Sequence, residues 1–160
     1  LLDLDGLARI NDMSGELEGD MILQQVATRL TESIRPDDSV GRFGGGQFLI
    51  VVPAYNLYET VMLAERIRKS FCEAPIFSAG EAIAICASFG VSAGLAEQDQ
   101  ESKTLVAAAH RALTRAQAAG GNRVDLAASE SQAAIVTETQ DPAVDGKSTF
   151  AEIAKAHGAR

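Results

Sequence analysis

The sequence predicts an α+β or α/β sandwich, with helices packed on a central sheet. Three observations carry that prediction. Apolar residues recur at helical spacing in two long stretches, Ile22, Val26, Leu30, Ile34 and then Leu57, Val61, Ala64, Ile67, Phe71. Between them, residues 40–43 and 48–52 read as two strands joined through Gly44-Gly45-Gly46, a run that suits a tight hairpin because glycine reaches positive φ without steric cost. Beyond the second stretch, residues 75–79 and 81–94 are rich in strand-forming residues. Helical and strand segments in this mixture bury their apolar faces only by stacking as layers.

Taken in order, residues 1–4 form a short strand, Asp5-Gly6 a turn, and residues 7–13 a short helix. Pro36 ends the next helix, because its ring excludes the preceding residue from helical conformation. Pro53 closes the second hairpin strand, and Gly80 is the expected turn between the two later strand segments. Residues 101–118 form an Ala-rich helix stopped by Gly120-Gly121, and residues 123–126 form a last short strand. From residue 127 to 147 the composition shifts to small and polar residues, as in a linker. Thr149 followed by Glu152 fits a capping box, so a short helix can start at Phe150 and either dock or stay a tether. The chain thus divides into a domain over residues 1–126 and a tail over 127–160. Its opening on Leu1-Leu2-Asp3 reads as mid-strand, as in an excerpt of a longer protein.

The 160 residues and 46% hydrophobic content suit one globular domain with a sizeable core. No apolar run approaches the ~20 residues that cross a membrane. A net charge of −8 argues against non-specific binding to nucleic acid or to anionic membranes. With no secretory signal in view, a cytoplasmic location is expected, on its own or as part of a larger, membrane-tethered protein. Cys72 and Cys86 lack metal-ligand spacing and are expected to be buried free thiols. His110 and His157 have no partner pattern, so surface or packing roles are expected for both.

The chemistry-bearing residues cluster in a few short strings. They are Asp3-Leu4-Asp5, Asn11-Asp12, Gly19-Asp20, Arg42-Phe43-Gly44-Gly45-Gly46-Gln47-Phe48, and Ala116-Gln117-Ala118-Ala119-Gly120-Gly121-Asn122-Arg123-Val124. Over residues 1–126 this pattern resembles the GGDEF domain, the diguanylate cyclase fold that joins two GTP molecules into cyclic di-GMP. The resemblance implies a palm-like nucleotidyl cyclase fold with a mostly antiparallel sheet, here without the helix that precedes its first strand. In the family the hairpin reads Gly-Gly-Asp/Glu-Glu-Phe; here Gly46 and Gln47 replace both acids. The resemblance makes Asp3 a vestigial Mg²⁺ ligand, a hard cation needing oxygen donors. Gly46 can neither hold metal nor accept a proton, and a Gln47 amide is a poor ligand and no base near neutral pH. Catalysis is therefore expected to be lost, with no cofactor required and Mg²⁺ relevant only if some GTP binding persists.

The resemblance also implies three phosphate-binding cations, replaced here by Ala8, Gln117 and Gly121. Charge-assisted contacts are worth about 1.5–3 kcal/mol each, so GTP is expected to bind weakly. The guanine-reading positions are kept, as Asn11 and Asp20. Arg35-Pro36-Asp37-Asp38 stands where the family carries its inhibitory Arg-x-x-Asp site for cyclic di-GMP, and Arg66 stands at the offset of that site's third member. A planar guanidinium can stack on guanine and donate a fork to it. The expectation is a catalytically inactive cyclic di-GMP receptor or regulatory module in bacterial signalling. It would work with a partner signalling domain in cis or in trans, or with a second copy as a homodimer. Two rivals stay open: a cyclase that still turns over, and an interaction module that holds no nucleotide. No phosphodiesterase-type motif is present in the sequence.

Overall fold

The computed structural model describes residues 1–78, 81–94 and 99–127. The described residues fall in one compact unit, Leu1–Ala128. Its elements run β1 (Leu2–Asp5), α1 (Leu7–Ser14), α2 (Glu16–Glu32), β2 (Ser39–Gly44), β3 (Gln47–Val51), α3 (Leu57–Glu73), β4 (Ile76–Ser78), β5 (Glu81–Ile83), β6 (Cys86–Val91), α4 (Asp99–Ala118) and β7 (Val124–Leu126). Five strands form one sheet in the order β2-β3-β1-β6-β7, antiparallel throughout except for the parallel β6–β7 pair. The α+β sandwich with a mostly antiparallel sheet is the expected architecture. Strands β4 and β5 pair only with each other.

β1 is central, so each of its faces must meet another layer. Strand alternation sends Leu2 and Leu4 into the core and turns Asp3 and Asp5 to the other face. Register carries this split across the sheet: Leu2 lies opposite Phe48 and Phe89, while Asp3 lies opposite Gln47 and Ser88. Ile22, Val26 and Leu30 of α2 and Ile67 and Phe71 of α3 join Leu2, Leu4, Phe48 and Phe89 in one apolar cluster. Burying side chains of this size contributes about 1.5–3 kcal/mol each.

Local chemistry fixes the helices. Glu16 and Glu18 complement the positive end of α2. Asn56 and Glu59 form a reciprocal capping box at the start of α3, each 2.9 Å from the other's backbone N–H. Arg29 joins the two helices: it donates to the carbonyls of Ala74 and Pro75 and lies over the Phe71 ring.

Three sequence expectations are corrected. The second helix stops at Glu32, ahead of Pro36, because the Ser33 hydroxyl and backbone N–H turn back onto Arg29 and Leu30 and close the last turn. The apolar line on α3 runs through Leu63, Ala64, Ile67 and Phe71, while Leu57 in its first turn is exposed. The stretch 81–94 is two strands, broken after Ile83, and they belong to different sheets. Gly80 and the tail beyond residue 127 lie outside the described residues, as do the linker and capping-box expectations that fall on them. No described helix is long and apolar enough to cross a membrane.

Gly90 in β6 is buried where α4 crosses the sheet, and a Cβ there would fall inside van der Waals contact of the Ala109 carbonyl and the Leu113 backbone nitrogen. Backbone atoms cannot rotate away. Gly90→Ala is expected to destabilise the domain by about 2–3 kcal/mol, the upper range for overpacking. A urea midpoint unchanged from wild type, measured by circular dichroism, contradicts this packing.

Candidate nucleotide site

The sheet face opposite the core cluster carries the acidic pair of β1. Asp5 is fully engaged: Oδ1 accepts the Ser88 hydroxyl at 2.7 Å and Oδ2 accepts the Asn122 backbone N–H at 2.8 Å. Asp3 Oδ2 accepts from two amides, Gln47 Nε2 at 3.1 Å and Gln117 Nε2 at 2.9 Å. Gln47 comes from β3 by register and Gln117 from the last turn of α4. These are two of the positions at which the sequence departs from the expected acid and phosphate-binding cation. Both replacements turn a donor onto the same carboxylate.

The hairpin is shaped by its glycines. Gly45 is left-handed at φ 52°, a β-bulge falls between Arg42 and Gly44, and the Arg42 guanidinium clasps the Gly45 carbonyl. The Gly46 carbonyl accepts from the Leu4 backbone N–H, which pins the turn against β1. A Cβ on Gly46 would stand 3.1 Å from Asp3 Oδ1 and 3.0 Å from Leu7 Cδ2. Any side chain at this position therefore starts against Asp3, and here there is none.

Mg²⁺ binding needs several oxygens of negative or partly negative character converging on one point. Asp3 is the only carboxylate at this corner not engaged by Ser88 and Asn122, and its Oδ2 faces two N–H donors. Among the described residues no group of three or more His, Cys, Asp or Glu side chains can hold a metal ion. Two N–H donors turned onto Asp3, and no second acid beside it at Gly46, make this corner a poor fit for the cation.

Asn11 and Asp20, the pair expected to read guanine, lie on α1 and α2. Asn11 packs against Gly19, where a Cβ would collide with its amide, and Asn11 Oδ1 is buried with no partner among the described residues. Asp20, next to Gly19, is exposed and lines a cleft of about 390 Å³ with Leu23, Val40, Arg42 and Phe48. An orphaned buried acceptor is a place for a donor to fill.

Arg35, Asp38 and Arg66 gather at the connection from α2 to β2. Asp38 Oδ2 accepts the Arg35 backbone N–H at 2.9 Å, while the Asp38 N–H donates to the Arg35 carbonyl at 3.0 Å. Asp38 is buried, and its Oδ1 has no partner among the described residues. The exposed Arg35 guanidinium stacks 4.7 Å from the centre of the Tyr55 ring. Arg66 donates to the Ser33 carbonyl at 2.6 Å, which brings its guanidinium to the same connection. Tyr55 was not legible as a member of this cluster; the residue sits in the loop before α3, and no spacing rule ties it to Arg35. The two thiols also depart from expectation: Cys72 is exposed, and its Sγ lies 3.4 Å from that of Cys86.

Comparison with known proteins agrees with this geometry. Residues 1–123 match the family described as diguanylate cyclase, GGDEF domain. The chain is 35% identical over 127 residues to the diguanylate cyclase DgcP of Pseudomonas aeruginosa, covering 79% of this chain and 19% of that protein. Among solved structures it resembles the active GGEEF domain of a diguanylate cyclase from Vibrio cholerae, at TM-score 0.67 and 31% identity over 81% of each chain. It also resembles the GGDEF domain of DgcB from Caulobacter crescentus, solved in complex with cyclic di-GMP, at TM-score 0.71 and 26% identity over 80% of this chain and 75% of that one. A palm-like cyclase fold is thus the class in view. The chain belongs to the GGDEF domain family. It spans about a fifth of DgcP and 34% of diguanylate cyclase A of Treponema denticola, to which it is 35% identical over 127 residues.

The amide clamp on Asp3 makes a stability prediction. Gln47→Glu places a second carboxylate where Asp3 now accepts an N–H, losing a hydrogen bond to a charged group and adding like-charge repulsion. The variant is expected to be less stable than wild type by about 1–2 kcal/mol at neutral pH. Thermal unfolding of both proteins at neutral pH checks it; equal stability contradicts the clamp.

Proposed function

We propose that this domain is a catalytically silent member of its family that acts as a cyclic di-GMP receptor or regulatory module. The observation that carries the reading is the state of Asp3, whose Oδ2 is held by the Gln47 and Gln117 amides while Gly46 brings no acid to it. Joining two nucleotides requires charge on the reacting phosphate to be neutralised and a 3′-hydroxyl to be activated. This corner offers two neutral amides in place of an acid and a cation. With Ala8 and Gly121 at the other phosphate-binding positions, the triphosphate has no cationic side chain from any of those three positions to hold it.

The Arg35, Asp38 and Arg66 group supports the receptor reading. Two guanidinium groups meet at one connection, and a planar guanidinium both stacks on guanine and donates in a fork to guanine or phosphate oxygens. The GGDEF domain of DgcB, at 26% identity, was solved in complex with this ligand. Asp38 Oδ1 is the acceptor left over once Oδ2 has closed the turn. Asn11 and Asp20 support a weak guanine pocket in the old active-site cleft, taking guanine nucleotides before adenine ones. A second reading, a module that holds no nucleotide, draws on the burial of Asp38, because a ligand reaches it only when the turn opens.

Titration calorimetry with cyclic di-GMP, followed by incubation with GTP and Mg²⁺, tests the proposal. Binding is expected, with no product above a mock-purified control. Arg35→Ala is expected to cost about 1.5–3 kcal/mol, roughly tenfold or more in affinity. Asp3→Ala should leave binding almost unchanged. Heat signals absent at all concentrations favour the nucleotide-free module, and product that vanishes in Asp3→Ala overturns catalytic silence.

A further inference from the structure

The last turn of α3 and the first residue of β6 bring two thiols together. Cys72 Sγ and Cys86 Sγ are 3.4 Å apart, 14 positions apart in sequence, with Cys72 exposed and Cys86 half-buried. A disulfide is about 2.05 Å long, so the sulfurs must close by roughly 1.4 Å from their 3.4 Å separation. The reduced pair has a defined setting. The Cys72 thiol donates to Asn122 Oδ1 at 3.2 Å, and Arg68 donates to the same oxygen at 2.8 Å. The Arg68 cation interacts electrostatically with both sulfurs.

We propose that Cys72 and Cys86 form a reversible intramolecular disulfide that staples the end of α3 to the start of β6 under hydrogen peroxide. The exposed Cys72 thiolate attacks one peroxide oxygen; the S–O bond forms, the O–O bond breaks, and hydroxide leaves to give a sulfenic acid. Cys86 sulfur then attacks the Cys72 sulfur. The S–S bond forms, the S–O bond breaks, and the departing hydroxide becomes water by taking up the proton that the Cys86 thiol released on ionising to the attacking thiolate. Overall the two thiols are oxidised by two electrons, and one peroxide is reduced to two waters. Cys86 is the resolving partner, since burial, followed by its hydrogen bond to Cys72, pushes its thiol above the ordinary range and makes it the slower nucleophile.

Closure has a consequence at the nucleotide cleft. Oxidation removes the thiol proton that Cys72 donates to Asn122. The Asn122 backbone N–H holds Asp5, and Asn122 itself sits at the left-handed φ of 48° in the loop from α4 to β7. That loop contains Gly121 and follows the last turn of α4, whose Gln117 reaches Asp3, so the thiol state is coupled by direct contacts to the acidic corner of the sheet.

The test is mass spectrometry on the 160-residue chain after dilute hydrogen peroxide, at a protein concentration low enough to suppress linkage between chains. No Lys or Arg lies between Ser70 and Ser102, so a glutamate-specific protease, cutting after Glu73 and Glu81, separates the two cysteines for non-reducing mapping. The expected result is a Cys72–Cys86 linked peptide, both thiols lost to alkylation, and full recovery on adding a dithiol. In Cys72→Ser, Cys86 should stay alkylatable; in Cys86→Ser, Cys72 should go on to higher oxides. Where closure limits the rate, it should rise about tenfold per pH unit below the Cys86 thiol range, as the thiolate fraction grows. Peroxide-treated wild type with both cysteines still alkylatable, with Cys72 overoxidised beside a free Cys86, or linked only between chains overturns the proposal.

Discussion

The Asp3 carboxylate is the constraint around which the cleft is arranged. β1 is the middle strand, and its alternation leaves no choice about where Asp3 points: if Leu2 and Leu4 are to fill the core, Asp3 and Asp5 must face α4 and the hairpin. An anion placed there needs donors. Asp5 takes them from Ser88 and the Asn122 backbone, whereas Asp3 takes them from Gln47 and Gln117. In a cyclase that corner is expected to carry positive charge brought by the metal. Here two neutral amides bond the carboxylate directly, so β3, β1 and α4 are tied together with no ligand required.

On the proposed reading, the substitutions that the family resemblance implies are coordinated. Loss of an acid at Gly46 removes repulsion from Asp3; exchange of an acid for Gln47 supplies a donor; exchange of a cation for Gln117 supplies another. Each change alone would leave the carboxylate either crowded by another or short of partners, and an unsatisfied charged group costs more than a bond gains. Together they satisfy it with two hydrogen bonds.

The fold was legible where periodicity is strong and one face is buried. Ile22, Val26 and Leu30 mark α2, and the hairpin glycines mark the β2–β3 turn to within one residue. What the sequence could not supply was decided by tertiary contact. The end of α2 at Glu32 depends on Ser33 turning back onto Arg29, and Ile34 continues the helical spacing although it lies past the helix. Tyr55 meets Arg35, and Cys72 meets Cys86, only because α3 is placed by its Asn56 cap and by Arg29 reaching Ala74. The motif positions themselves rest on the family resemblance, which sets each at a fixed offset from Asp3, Asn11 and Phe48. Their mutual bonding was not, because Gln47 and Gln117 are 70 positions apart and converge only through sheet register and the path of α4.

The central claim is that amide donors occupy the place a cation would otherwise take. Nuclear magnetic resonance of the Gln47 and Gln117 side-chain amides tests it most directly, with assignments from Gln47→Ala and Gln117→Ala. Both NH₂ groups are predicted to show restricted rotation and slow exchange with water, to lose these properties in Asp3→Ala, and to be unmoved by millimolar Mg²⁺. Mg²⁺-dependent shifts of both amide signals that disappear in Asp3→Ala would contradict the account, because Asp3 would then be binding metal.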